Sequence, residues 1–70
     1  MKFTIEIASV PDRDDTVAEI WWGDVMVAEL HHVTSGSTEI MIYATESCGP
    51  WTFELASWLA AVAEAQRKLG

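Results

Sequence analysis

The sequence predicts an α+β fold, ββββα: a four-stranded antiparallel meander with one C-terminal helix packed on one face, forming a single domain over residues 1–70. Three observations predict it. Apolar and polar residues alternate in several stretches of the first two thirds of the chain; turn-forming residues separate those stretches; and the last third carries apolar residues at helical spacing.

The first strand runs over Lys2–Val10, with Phe3, Ile5 and Ile7 on one face and Thr4, Glu6 and Ala8 on the other. Pro11-Asp12-Arg13-Asp14-Asp15 ends it with turn chemistry. Two segments with the same start, Val17-Ala18-Glu19-Ile20 and Val27-Ala28-Glu29-Leu30, then flank Gly23-Asp24 and predict a hairpin. A one-residue slip in register turns every side chain to the other face. A two-residue Gly-Asp loop pairs Ile20 with Val27 and Glu19 with Ala28, which mixes the two faces. A three-residue loop, Gly23-Asp24-Val25, with a bulge, pairs Ile20 with Ala28 and Glu19 with Glu29. It leaves Ala18, Ile20, Trp22, Met26, Ala28 and Leu30 as one apolar face, so the odd-length loop is expected.

Thr34-Ser35-Gly36-Ser37 forms a second turn, and Thr38–Ala44 alternates again, with Ile40 and Ile42 inward and Glu39, Met41 and Tyr43 outward. Glu46-Ser47-Cys48-Gly49-Pro50 reads as a loop, with Pro50 in the first turn of the helix. From Trp51 to Leu69 the stripe Leu55, Trp58, Leu59, Val62, Leu69 is expected to cover the sheet. Glu54 at the start of this helix and Arg67-Lys68 at its end suit the helix dipole.

Seventy residues, half of them apolar, describe one small globular domain close to the lower size limit for a self-supporting core. The four tryptophans supply much of its burial. A single cysteine, Cys48, permits no internal disulfide and suits a reducing compartment. The start of the chain alternates where a signal peptide has an apolar run, and the apolar stretch around Leu59–Ala63 is too short to span a bilayer. A cytoplasmic location is expected.

The charge balance is lopsided, with eleven acidic residues against four basic ones and a formal net charge of −7. Between Phe3 and Gln66 the only Lys or Arg is Arg13. Such a surface disfavours direct contact with nucleic acid or acidic membranes and favours a basic protein partner. One helix covers one side of a four-stranded sheet. The other side is expected to carry Thr4, Glu6, Ala8, Val17, Glu19, Trp21, Val27, Glu29, His31, Glu39, Met41 and Tyr43. Each strand contributes a glutamate, and like charges side by side on a sheet destabilise it. Three readings fit: solvated strand positions; a docking face anchored by Trp21 and Tyr43; or a homodimer seam of Val17, Trp21, Val27, Met41 and Tyr43 with acids at its rim.

No catalytic motif stands out. Asp12, Asp14 and Asp15 cluster in the first turn without the spacing of a calcium loop. His31 and His32 are adjacent, so on a strand they point to opposite faces and cannot share an ion, and no zinc-ligand spacing joins them to Cys48. Cys48 reads as an ordinary loop cysteine, the alternative being a thiol activated ahead of a helix with a histidine as base. Ser47 and Ser57 lack a nucleophile elbow, and there is no phosphate-binding glycine loop. No cofactor or metal is expected.

The stretch Ile5-Glu6-Ile7-Ala8-Ser9-Val10-Pro11-Asp12-Arg13-Asp14, followed by Val17-Ala18-Glu19-Ile20-Trp21 and later Pro50-Trp51-Thr52-Phe53, resembles short acidic bacterial proteins. That resemblance covers most of the chain and implies a folded domain without implying an activity. In size and charge the chain is also similar in type to phage-encoded inhibitors such as anti-CRISPR proteins, and to some antitoxins and immunity proteins. The expectation is a non-enzymatic interaction module. Glu6, Glu19, Trp21, Glu29, His31, Glu39, Met41 and Tyr43 would bind a basic protein partner, with a nucleic-acid-binding protein as one candidate. The alternative is a homodimeric scaffold using the same face.

Overall fold

The computed structural model describes residues 2–9, 16–33, 36–45 and 49–70. Strands β1 (Phe3–Ser9), β2 (Thr16–Trp22), β3 (Val25–His32) and β4 (Thr38–Ile42) form one antiparallel sheet in sequence order, and α1 (Leu55–Leu69) packs on it. This is the ββββα architecture that the alternation implies. The expected turn at Pro11–Asp15, residues Thr34 and Ser35 of the second turn, and Glu46, Ser47 and Cys48 lie outside the described residues.

The register follows from keeping apolar residues together. Phe3, Ile5 and Ile7 face Trp22, Ile20 and Ala18 across β1–β2. Ala18 and Ile20 face Leu30 and Ala28 across β2–β3, and Leu30 faces Ile40 across β3–β4. The hairpin reaches this register by a different route from the one expected. Its loop has two residues, Gly23-Asp24, with Trp22 paired to Val25. Of these two loop residues only Gly23 has positive φ, 65°, as the first central position of a type II′ turn requires. The extra residue sits inside β3 as a bulge at Val27, between Ala28 opposite Ile20 and Met26 opposite Trp21.

The bulge relocates two side chains. Met26 shares the face of Trp21 and not the apolar face, and Val27 leaves the open face for the core, where it is 1% exposed. The core joins Ala18, Ile20, Val27, Ala28 and Leu30 to Ala61 and Ala65 of the helix.

The helix begins at Leu55, not near Trp51. Glu54 is its N-cap residue, with extended backbone, and Trp51–Phe53 precede it outside the helix. Aromatic packing accounts for the late start. The Phe53 ring lies 4.8 Å from Phe3, 5.1 Å from Trp22, 5.3 Å from Trp51 and 5.8 Å from Trp58. The Trp51 indole also donates to the Tyr43 carbonyl at 3.1 Å. These contacts outweigh the helical bias of a proline at a first turn.

The buried helix stripe also differs. Ala61 and Ala65 are buried, flanked by half-buried Trp58, Val62 and Leu69, while Leu55 and Leu59 are 67% and 56% exposed. Alanines bring the helix close to the sheet, and leucines at those positions would hold it off. The helix contacts β1, β2 and β3 but has no comparable contact with β4. A helix is about 10 Å across, whereas four strands at about 4.8 Å spacing span about 14 Å. Ile40 and Ile42 therefore lie on the helix side but stay 42% and 59% exposed, against the expectation that α1 covers them.

Val27→Ala should lower the unfolding free energy by about 2 kcal/mol, and Leu55→Ala should change it by less than about 0.5 kcal/mol. Urea denaturation of the two variants checks the bulge and the helix rotation together; equal effects would contradict both.

Candidate functional site

The sheet face opposite the helix is built in rows by the strand register. Glu6, Glu19, Glu29 and Met41 form one row, directly opposed from β1 to β4. Ala8, Val17, His31 and Glu39 form the next, and Thr4, Trp21 and Met26 a third. Of the expected site residues, the structure brings Glu6, Glu19, Trp21, Glu29, His31, Glu39, Met41 and Tyr43 onto this face. Met26 joins them, and sequence reasoning missed it because only the bulge turns it there.

Three of the acids have partners on the same face. The Trp21 indole donates to Glu19 Oε1 at 3.1 Å, and the Tyr43 hydroxyl donates to Glu29 Oε1. His31 Nε2 lies 3.3 Å from Glu39 Oε1. His32, on the other face, meets Thr38 through Nδ1. Trp21 is half-buried, not the exposed side chain the sequence implies, and Val17, on the other side of Glu19 along β2, is buried.

The electrostatics are one-sided. Among the described residues no Lys or Arg lies within ion-pair distance of Glu6, Glu19 or Glu29. Arg67 and Lys68 engage Glu64 on the helix at 4.0 and 3.5 Å. The field of the row shows on Tyr43, whose pKa is pushed up from 10.0 to about 12, first by its hydrogen bond to Glu29, then by burial and by the charges of Glu29 and Glu19.

A shallow depression of about 530 Å³ lies beside the row, lined by Thr4, Glu6, Ala8, Glu19 and Trp21 among others. A second groove of about 460 Å³ between β1 and α1 is lined by Phe3, Trp22 and Phe53 together with Glu54 and Glu64. It is a seam of the helix packing. Among the described residues no group of three or more His, Cys, Asp or Glu side chains could hold a metal ion, and no helix is long and apolar enough to cross a membrane. No family model matches the chain, and neither does any curated protein or solved structure.

Tyr43 is the only tyrosine, so its phenolate absorbance reports this site directly. The midpoint should lie near 12 in the wild type and fall toward 10 in Glu29→Ala. The sign for stability follows. The folded pKa is raised, so the Tyr43 contribution is complete below pH 10.0 and is lost as pH rises toward about 12. Glu6 faces Glu19, so Glu6→Gln should stabilise the fold by about 0.2–1 kcal/mol. The gain should shrink as salt is added, which thermal unfolding at two ionic strengths checks.

Proposed function

We propose that the protein is a non-enzymatic interaction module whose acidic sheet face docks a basic protein partner. The observation that carries this reading is the row Glu6–Glu19–Glu29, three directly opposed carboxylates without a Lys or Arg counter-charge among the described residues. Such a row costs stability in the free protein, and a cationic partner relieves that cost on binding. Lysine or arginine side chains would meet the free carboxylate oxygens, and Trp21, Met26, Met41 and Tyr43 would supply apolar contact between them.

The charge steers the encounter and sets its salt dependence. A nucleic-acid-binding protein fits this chemistry, because its cationic groove is shaped to accept a row of negative charges. The acidic face then stands in for phosphates, as an inhibitor of the anti-CRISPR or antitoxin type does. A homodimer through the same face is the weaker reading, since two copies of the row would face each other.

The test is capture from the native host's lysate by wild type and by Glu19→Lys/Glu29→Lys in parallel. The expected result is a basic protein that wild type retains, that added salt releases, and that the double variant fails to bind while keeping its far-ultraviolet circular dichroism. A captured protein that binds both forms equally would refute the site.

A further inference from the structure

The opposite side of β4 has chemistry that the acidic face does not use. The Tyr43 amide donates to the Val27 carbonyl at 2.8 Å, so in the β3–β4 register Tyr43, Met41 and Glu39 occupy the hydrogen-bonded pairs. In an antiparallel ladder the alternate residues then turn their N–H and C=O groups outward. Thr38, Ile40 and Ile42 present theirs at the edge of the sheet, where no described strand pairs with them. Ile40 and Ile42 on that strand are exposed, and so is Leu55 beside Ile42. An apolar groove of about 290 Å³ there is lined by Val27, Ile42, Trp51, Phe53, Leu55 and Trp58.

We propose that this edge binds a second copy of the chain, β4 pairing antiparallel with β4 of the other copy about Ile40. The sequence of β4 is self-complementary in that register. Ile40 faces Ile40, Thr38 faces Ile42, and Glu39, the only charge on the strand, faces Met41. All three outward residues then exchange their backbone hydrogen bonds. The other sheet edge fails the same comparison: β1 is centred on Glu6, so pairing about its middle residue sets glutamate against glutamate. Natural proteins cover or charge an exposed apolar edge. Here Glu39 lies on the acidic face and the helix stops short of β4, so a second copy is the cover that the residues fit.

The two-fold axis of such a pair runs perpendicular to the sheet. It joins two four-stranded sheets into one of eight strands, with both acidic faces on one side and both helices on the other. The apolar groove that holds Leu55 beside Ile42 then flanks the seam in each copy. The dimer thus displays two acidic rows side by side, which would strengthen capture of an extended basic surface through multivalency.

Sedimentation equilibrium of the full chain tests this. Each copy carries a formal charge of −7, so dimerisation should tighten as salt rises from about 0.01 M to about 0.15 M, where the Debye length falls from about 30 to about 8 Å. Binding of a basic partner weakens over the same range, so the two proposals stand or fall separately. Ile40→Lys and Leu55→Lys should each weaken the dimer about tenfold or more, with circular dichroism confirming the fold. Leu55 is 67% exposed, so its variant keeps the test meaningful should Ile40→Lys not fold. In a Cys48→Ala background, Ile40→Cys should cross-link between copies under oxidation and Thr38→Cys should not, because Thr38 faces Ile42. A monomer at every protein and salt concentration overturns the proposal. So does a dimer that Trp21→Glu breaks and that Ile40→Lys and Leu55→Lys leave intact.

Discussion

One extra residue in β3 sets the arrangement on both sides of the sheet. With Val27 bulged between Met26 and Ala28, a two-residue Gly23-Asp24 turn closes the hairpin while Ile20 meets Ala28 and Glu19 meets Glu29 further along. Without the bulge the same turn would slip β3 by one residue, move Glu29 into the core and break the acidic row. The carboxylate row and the close helix packing on Ala18, Ile20 and Ala28 therefore share one origin. What selects the bulge is the rest of β3: regular pairing from the same turn would set Glu29 opposite buried Ala18, whereas the bulged strand sets Leu30 there.

The aromatic cluster is the second organising element. Phe53 bridges Phe3 and Trp22 of the sheet to Trp58 of the helix, with Trp51 stacked on its outer side. Because Trp51 also holds the Tyr43 carbonyl, the segment entering the helix is tied to the same residue whose hydroxyl serves Glu29. Tyr43 thus links packing on one side of the sheet to charge on the other.

Much of this was legible in the sequence, and the misses have physical causes. Alternation in Phe3–Ser9 and around Ile40 marks the strands, and the demand for one apolar face finds the Glu19–Glu29 pairing. Loop length was not legible, because a three-residue loop and a two-residue loop with a bulge give the same register beyond Ile20. The helix start was misplaced because Pro50 resembles a first-turn proline. The signal against it was present: Trp51 and Phe53 alternate with Thr52 and Glu54, a period of two. Side-chain size in the sequence points to Leu55 and Leu59, whereas closeness to the sheet selects Ala61 and Ala65. The candidate face was legible as a set of residues, but the tethers needed coordinates: Trp21 reaches Glu19 along one strand, His31 meets Glu39 directly across β3–β4, and Tyr43 crosses to Glu29 in another row.

The topology also divides the kinetic labour of folding. Every strand pairs with its neighbour in sequence, so the sheet is assembled from short loop closures. Phe3 meets Phe53 and Trp58 only when opposite ends of the chain come together. The entropy of long-range closure is concentrated in that one docking event. Contacts made late in folding act mainly on the unfolding rate. The hairpins would then govern how quickly the fold is found, and the end-to-end aromatic contact how long it persists.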